Sequence, residues 1–143
     1  MQPTIRSAVV LLGGVVVAVI VVGLMDSVAG HLYSLPAGTD TNNPQSLREA
    51  VAGLPTAAFA LLVVGWALAA GAGAYVAARF AAHARAIHGL IVALFVLVAT
   101  IANLAKIPHP LWVWPATLIL IPAAGWAATR LVGADRRARQ SNA

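Results

Sequence analysis

Few residues in this chain can do chemistry. Its 143 residues include four aspartates and glutamates, four histidines and no cysteine. Disulfides, thiolate metal sites and cysteine nucleophiles are therefore excluded. The residues that could act together are Asp26, His31, Asn103, Lys106 and His109. A carboxylate, two imidazoles, a carboxamide and an ammonium could bind an ion or polar solute, or pass a proton. His31, His109 and Asp40 could instead act on a lipid or quinone, but no nucleophile–base pair or metal-ligand spacing accompanies them. His83 and His88, beside Arg79 and Arg85, lack the carboxylate company of a metal site at helical spacing. Both are expected to be solvated. The chain is read as a non-enzyme with no catalytic residue, metal or cofactor assigned.

The elements that must carry these residues follow from composition. Hydrophobic residues make up 61% and charged residues 9%, with a mean hydropathy of +0.88. A soluble domain needs about 25% charged residues to cover its surface, so a water-soluble globule is excluded. A bilayer core takes about 20 apolar residues in helix. Four stretches qualify, at about residues 7–27, 55–80, 86–106 and 111–132. In hydrocarbon each must be helical to pair its backbone groups. The expected fold is all-α: one integral membrane domain over residues 1–143, with four transmembrane helices in an antiparallel bundle. The net charge of +5 lies mostly beside the apolar stretches, which is a pattern of membrane topology and not a nucleic-acid groove.

Orientation follows from the basic residues. Placing the N terminus in the cytoplasm puts Arg6, Arg79, Arg85, Arg130, Arg136, Arg137 and Arg139 inside and leaves Arg48 and Lys106 outside, seven against two. Both termini are then cytoplasmic, in a bacterial inner membrane. The loop 28–54 faces the other side, and residues 133–143 form a basic cytoplasmic tail. Ser27-Val28-Ala29 resembles a signal-peptide cleavage site, but the apolar core before it exceeds a usual signal sequence, so a retained helix is expected.

IPHPLWVWP, residues 107–115, reads as the outer turn between the third and fourth spans. Pro108 and Pro110 stop helix continuation. Trp112 and Trp114 fall at headgroup level and, with Trp126, are expected as interfacial anchors. Within the outer loop, Asn43-Pro44 looks like an N-cap with proline at the first helical position, and Gly53 is placed to end that helix. Leu47, Val51 and Leu54 give it one apolar edge, so a short interfacial helix is expected. Leu35 to Asp40 reads as turns.

The second span carries the clearest packing signal. Ala69, Gly73 and Ala77 repeat every four residues, as do Ala70, Ala74 and Ala78. Such small-residue rows let helix backbones approach closely. Two rows exceed what one neighbour requires: either the bundle is very tight, or one row is reserved for another protein.

Leu35-Pro36-Ala37-Gly38, Gly65-Trp66-Ala67-Leu68, Val76-Ala77-Ala78-Arg79, Ile101-Ala102-Asn103 and Ile107-Pro108-His109-Pro110-Leu111-Trp112 together resemble a group of small bacterial four-helix integral membrane proteins. The resemblance implies a shared helical fold and no known activity. The chain does not resemble small multidrug exporters, whose first helix carries a central glutamate. The leading functional expectation is a non-catalytic accessory or structural subunit of a membrane complex. Its partners would be lipid, other membrane subunits or itself as a homo-oligomer, and not nucleic acid. The alternative is a small transporter or channel subunit acting as an oligomer, with Asp26, Asn103 and Lys106 at its outer mouth.

Overall fold

Helices account for the regular structure of the described residues. The computed structural model describes residues 3–141, except for the side chains of Pro3, Arg136, Ala138 and Arg139. The helices are α1 (Pro3–Leu32), α2 (Pro44–Ala52), α3 (Thr56–Phe80), α4 (Arg85–Lys106) and α5 (Val113–Ser141). All but α2 contain a stretch long and apolar enough to cross a membrane, ending at Asp135 in α5. The chain is thus compatible with a multi-pass membrane protein.

Two boundaries differ from the sequence reading. Helix α1 continues to Leu32, because residues 28–32 contain no proline and the next proline is Pro36. Helix α5 runs on into the expected tail as far as Ser141, where the alanines and arginines are good helix formers. The arginine side chains at 136 and 139, which entered the orientation argument, lie outside the described residues.

The short helix forms as expected. Asn43 Oδ1 accepts hydrogen bonds from the backbone N–H groups of Gln45 and Ser46 at 2.9 and 3.4 Å, and Pro44 opens the helix. Gly53 ends it in a right-handed conformation, φ −82°, so this glycine is not needed for a left-handed turn. Gly38 is: its φ of +86° is a conformation that side chains disfavour. The Thr39 N–H and hydroxyl both donate to the Pro36 carbonyl across that turn.

Helix α3 is the centre of the molecule, touching α1, α4 and α5. Residue size explains why. Ala69, Ala70, Ala74, Ala77 and Ala78 are fully buried, and Gly73 is buried among them. With almost no side chain between axes, neighbouring backbones reach van der Waals contact, the main source of helix association in lipid. Helix α1, by contrast, turns Val9, Leu12, Val16, Val19, Ile20 and Leu24 outward. Exposed apolar residues in such number are stable against lipid chains and costly against water.

Candidate functional site

The polar residues singled out in the sequence are placed by the end of α1, the end of α4 and the turn beyond it. Pro108 prevents α4 from continuing, and Ile107 leaves it extended at φ −114°, ψ 130°. Its N–H still closes the last helical turn on the Asn103 carbonyl, at 3.0 Å. His109 then folds back over the bundle. Its Nδ1 donates to the Ile107 carbonyl at 2.7 Å, and its ring lies 5.8 Å from that of Phe59 and 6.1 Å from that of Trp66. With Nδ1 carrying the hydrogen, the neutral ring keeps an acceptor at Nε2.

The other candidates are spread apart. Asp26, His31 and Lys106 are exposed, and His31 Nδ1 bonds the Ser27 carbonyl of its own helix at 2.8 Å. Among the described residues no hydrogen bond or ion pair links any two of Asp26, His31, Asn103, Lys106 and His109. Asn103 lines a recess with Trp66, and His109 packs on that same tryptophan. Trp66 therefore joins two of the five residues, and Asp26, His31 and Lys106 stand outside this arrangement. Asp40, considered as an acid or base, organises the loop instead. Its carboxylate accepts from the Asn42 N–H at 2.9 Å, and its own N–H donates to the Ser46 hydroxyl.

The two small-residue rows are both used within the chain. A Cβ at Gly14 of α1 would meet the Gly73 carbonyl oxygen at 2.8 Å and the Ala77 Cβ at 3.0 Å, so the first row seats α1. A Cβ at Gly89 of α4 would meet the Ala74 carbonyl oxygen at 2.8 Å and the Ala78 Cβ at 3.3 Å, so the second seats α4. Each row is thus occupied by another helix of the same chain.

A third face of α3 stays open. Helices α1 and α5 both rest on α3, but their backbones do not approach each other among the described residues. Between them runs an apolar groove of about 590 Å³, floored by Ala67, Gly71 and Tyr75 and walled by Val17 of α1 and Ala124 and Leu131 of α5. Sequence reasoning passed over it, although Ala67, Gly71 and Tyr75 share the four-residue spacing of the two buried rows.

His88 corrects an expectation: it is buried, 8% exposed, with Nδ1 at 3.1 Å from the Ala84 carbonyl, while His83 stays exposed with its ring 6.1 Å away. The next residue, Gly89, is also buried, between Thr129 of α5 and Ala74 of α3. Among the described residues no three histidines, aspartates or glutamates are grouped to hold a metal ion. Of the expected anchors, Trp112 and Trp126 are exposed, and Arg130 lies over the Trp126 ring at 4.9 Å. Trp114 is half-buried and packs against the core. Compared with protein-family models, curated proteins and solved structures, the chain matches none.

Proposed function

We propose that this chain is a non-catalytic packing subunit of a bacterial inner-membrane assembly, joined to another subunit or to a second copy of itself. In this reading its four spans run antiparallel with both termini cytoplasmic, and α2 lies at the outer membrane surface. The observation that supports it is the groove between α1 and α5. Its floor of alanine, glycine and one tyrosine has the small-residue character that lets a further helix approach closely. The buried rows of α3 are occupied by α1 and α4 and cannot serve a partner.

The absence of cysteine allows single reporters. Ala127→Cys places a thiol in the groove, and Val98→Cys places one on the exposed face of α4. Labelled with a benzophenone maleimide and irradiated in native membranes, the first should cross-link to a second polypeptide and the second should not. Purification in mild detergent as a monodisperse monomer, with no cross-link from Ala127→Cys, would overturn the reading. The mass of the adduct separates self-association from a different subunit.

A further inference from the structure

Helices α1, α3 and α4 close on one another where Gly14, Gly73 and Val92 meet. Towards Asn103 they part, and a recess of about 180 Å³ opens between them. Ala18 and Val22 of α1 and Ala99 of α4 give it apolar walls, and three polar side chains line it: Trp66, Thr100 and Asn103.

Two of these are buried without a partner. Thr100 is 4% exposed and Trp66 6% exposed. Among the described residues neither the Thr100 hydroxyl nor the Trp66 indole N–H makes a hydrogen bond, and the Asn103 carboxamide makes none either. Threonine in an apolar helix ordinarily satisfies itself on a carbonyl of the preceding turn. Thr117 does so on Val113 and Trp114, and Thr129 on Trp126. Thr100 does not. A buried donor left unpaired costs about 1–3 kcal/mol, so two on one recess call for an occupant that pairs with them.

The recess indicates the chemistry of that occupant. No charged side chain lines it, so the occupant is neutral. Three groups can donate, and a carbonyl oxygen is the acceptor that suits them. Val19, Ala99 and Asn103 are exposed at the rim, so in a spanning orientation the recess opens toward lipid with the Asn103 carboxamide at its mouth. A cavity of about 150 Å³ accommodates a benzene ring, so there is room for one ring or one ester group. We infer that this recess binds the neutral, carbonyl-bearing head of a lipophilic molecule, held by Trp66, Thr100 and Asn103 with its tail in the bilayer. His109, packed on the Trp66 ring, keeps the indole in place. The inference does not depend on the groove between α1 and α5.

Such a carbonyl could belong to a quinone ring or to the ester of a neutral glyceride. Replacing Trp112, Trp114 and Trp126 with phenylalanine leaves Trp66 as the sole tryptophan, which is excited selectively over Tyr33 and Tyr75 at the red edge of indole absorption. This protein, in phosphatidylcholine vesicles, is titrated with 2-decyl-1,4-benzoquinone and separately with dioctanoylglycerol while Trp66 emission is followed. At least one probe should give a saturable change, and the probe that does so identifies the source. Thr100→Val, which preserves shape, should weaken that binding about five- to tenfold, the loss of one hydrogen bond in an apolar site. Ala99→Phe, at an exposed rim position where folding is not at stake, should abolish it. Non-saturable responses to both probes, or binding that survives either substitution unchanged, would overturn the inference.

Discussion

Gly14 of α1 and Gly73 of α3 stand backbone to backbone: a Cβ on Gly73 would lie 2.6 Å from the Gly14 carbonyl oxygen, 2.9 Å from Val92 Cγ1 and 3.0 Å from the Ala18 Cβ. No side chain there can be accommodated without moving a helix. Gly73→Ala should therefore destabilise the protein by about 1–3 kcal/mol, the usual cost of overpacking, seen as a lower melting temperature by circular dichroism in mild detergent. Gly13→Ala, one residue from Gly14 but with nothing within 4 Å of its added Cβ, should be neutral or gain up to about 1 kcal/mol from helix propensity. Gly53→Ala, whose Cβ would make only ordinary contact with the Ala50 carbonyl at 3.6 Å, should change little. Equal losses for Gly73→Ala and Gly13→Ala would mean that α1 is not seated on this row.

Ala84 precedes α4 in the left-handed region, at φ 46° and ψ 41°. A side chain there costs about 1–2 kcal/mol. Glycine removes that strain and gives back about 0.4–1 kcal/mol through the larger freedom of the unfolded chain. Ala84→Gly should thus be stabilising by about 0.5–1 kcal/mol, read from the same melting curves. A destabilised Ala84→Gly protein would show that the turn before α4 is not held in this conformation.

Asp26 and Lys106 are both exposed, and no ion pair joins them among the described residues. Removing one charge should not strand the other. Asp26→Asn and Lys106→Met should each alter thermal stability slightly, within the range of about 0–1 kcal/mol typical of exposed charges, and the double variant should equal their sum. Restoration of stability in the double variant would show that the charges do meet. Additivity leaves the transport reading, which drew on that pair, without its outer site.

Axial position was legible in the sequence, and rotation about each helix axis was not. Runs of apolar residues about 20 long placed the spans, and Pro108 and Pro110 placed the turn. Asn43-Pro44 placed α2, because capping chemistry is local. The face each helix presents depends instead on contrast between polar and apolar sides, and a helix apolar all round has none. Residue size was the remaining guide: it picked out both rows of α3 but could not say that α1 and α4 would fill them. The five polar residues were grouped by depth alone, so Asp26, His31 and Lys106 seemed to converge with Asn103 and His109. His88 departs from the sequence reading on a different ground. Its neighbours Arg85 and His83 suggest solvent, whereas the residue beside it, Gly89, is closed in by α3 and α5.

Thr41 and Gln140 test the topology as a matter of parity. Both are exposed, and between them lie three stretches long and apolar enough to cross a membrane: Thr56–Phe80, Arg85–Lys106 and Val113–Asp135. An odd number of crossings places the two positions on opposite sides. In the orientation proposed above, which rests on the excess of arginines at the ends of the second and fourth spans, the Gln140 side is the cytoplasmic one. Because the chain has no cysteine, Thr41→Cys and Gln140→Cys each carry a single thiol. A membrane-impermeant maleimide applied to intact cells with the outer membrane opened should label Thr41→Cys at once, and should label Gln140→Cys only after the inner membrane is permeabilised. The reverse pattern would keep the parity and invert the orientation, so the arginine count would have misled. Labelling of both from outside would break the parity itself: one of the three helices would then not cross, and α5, interrupted by Pro122, would be the first to re-examine.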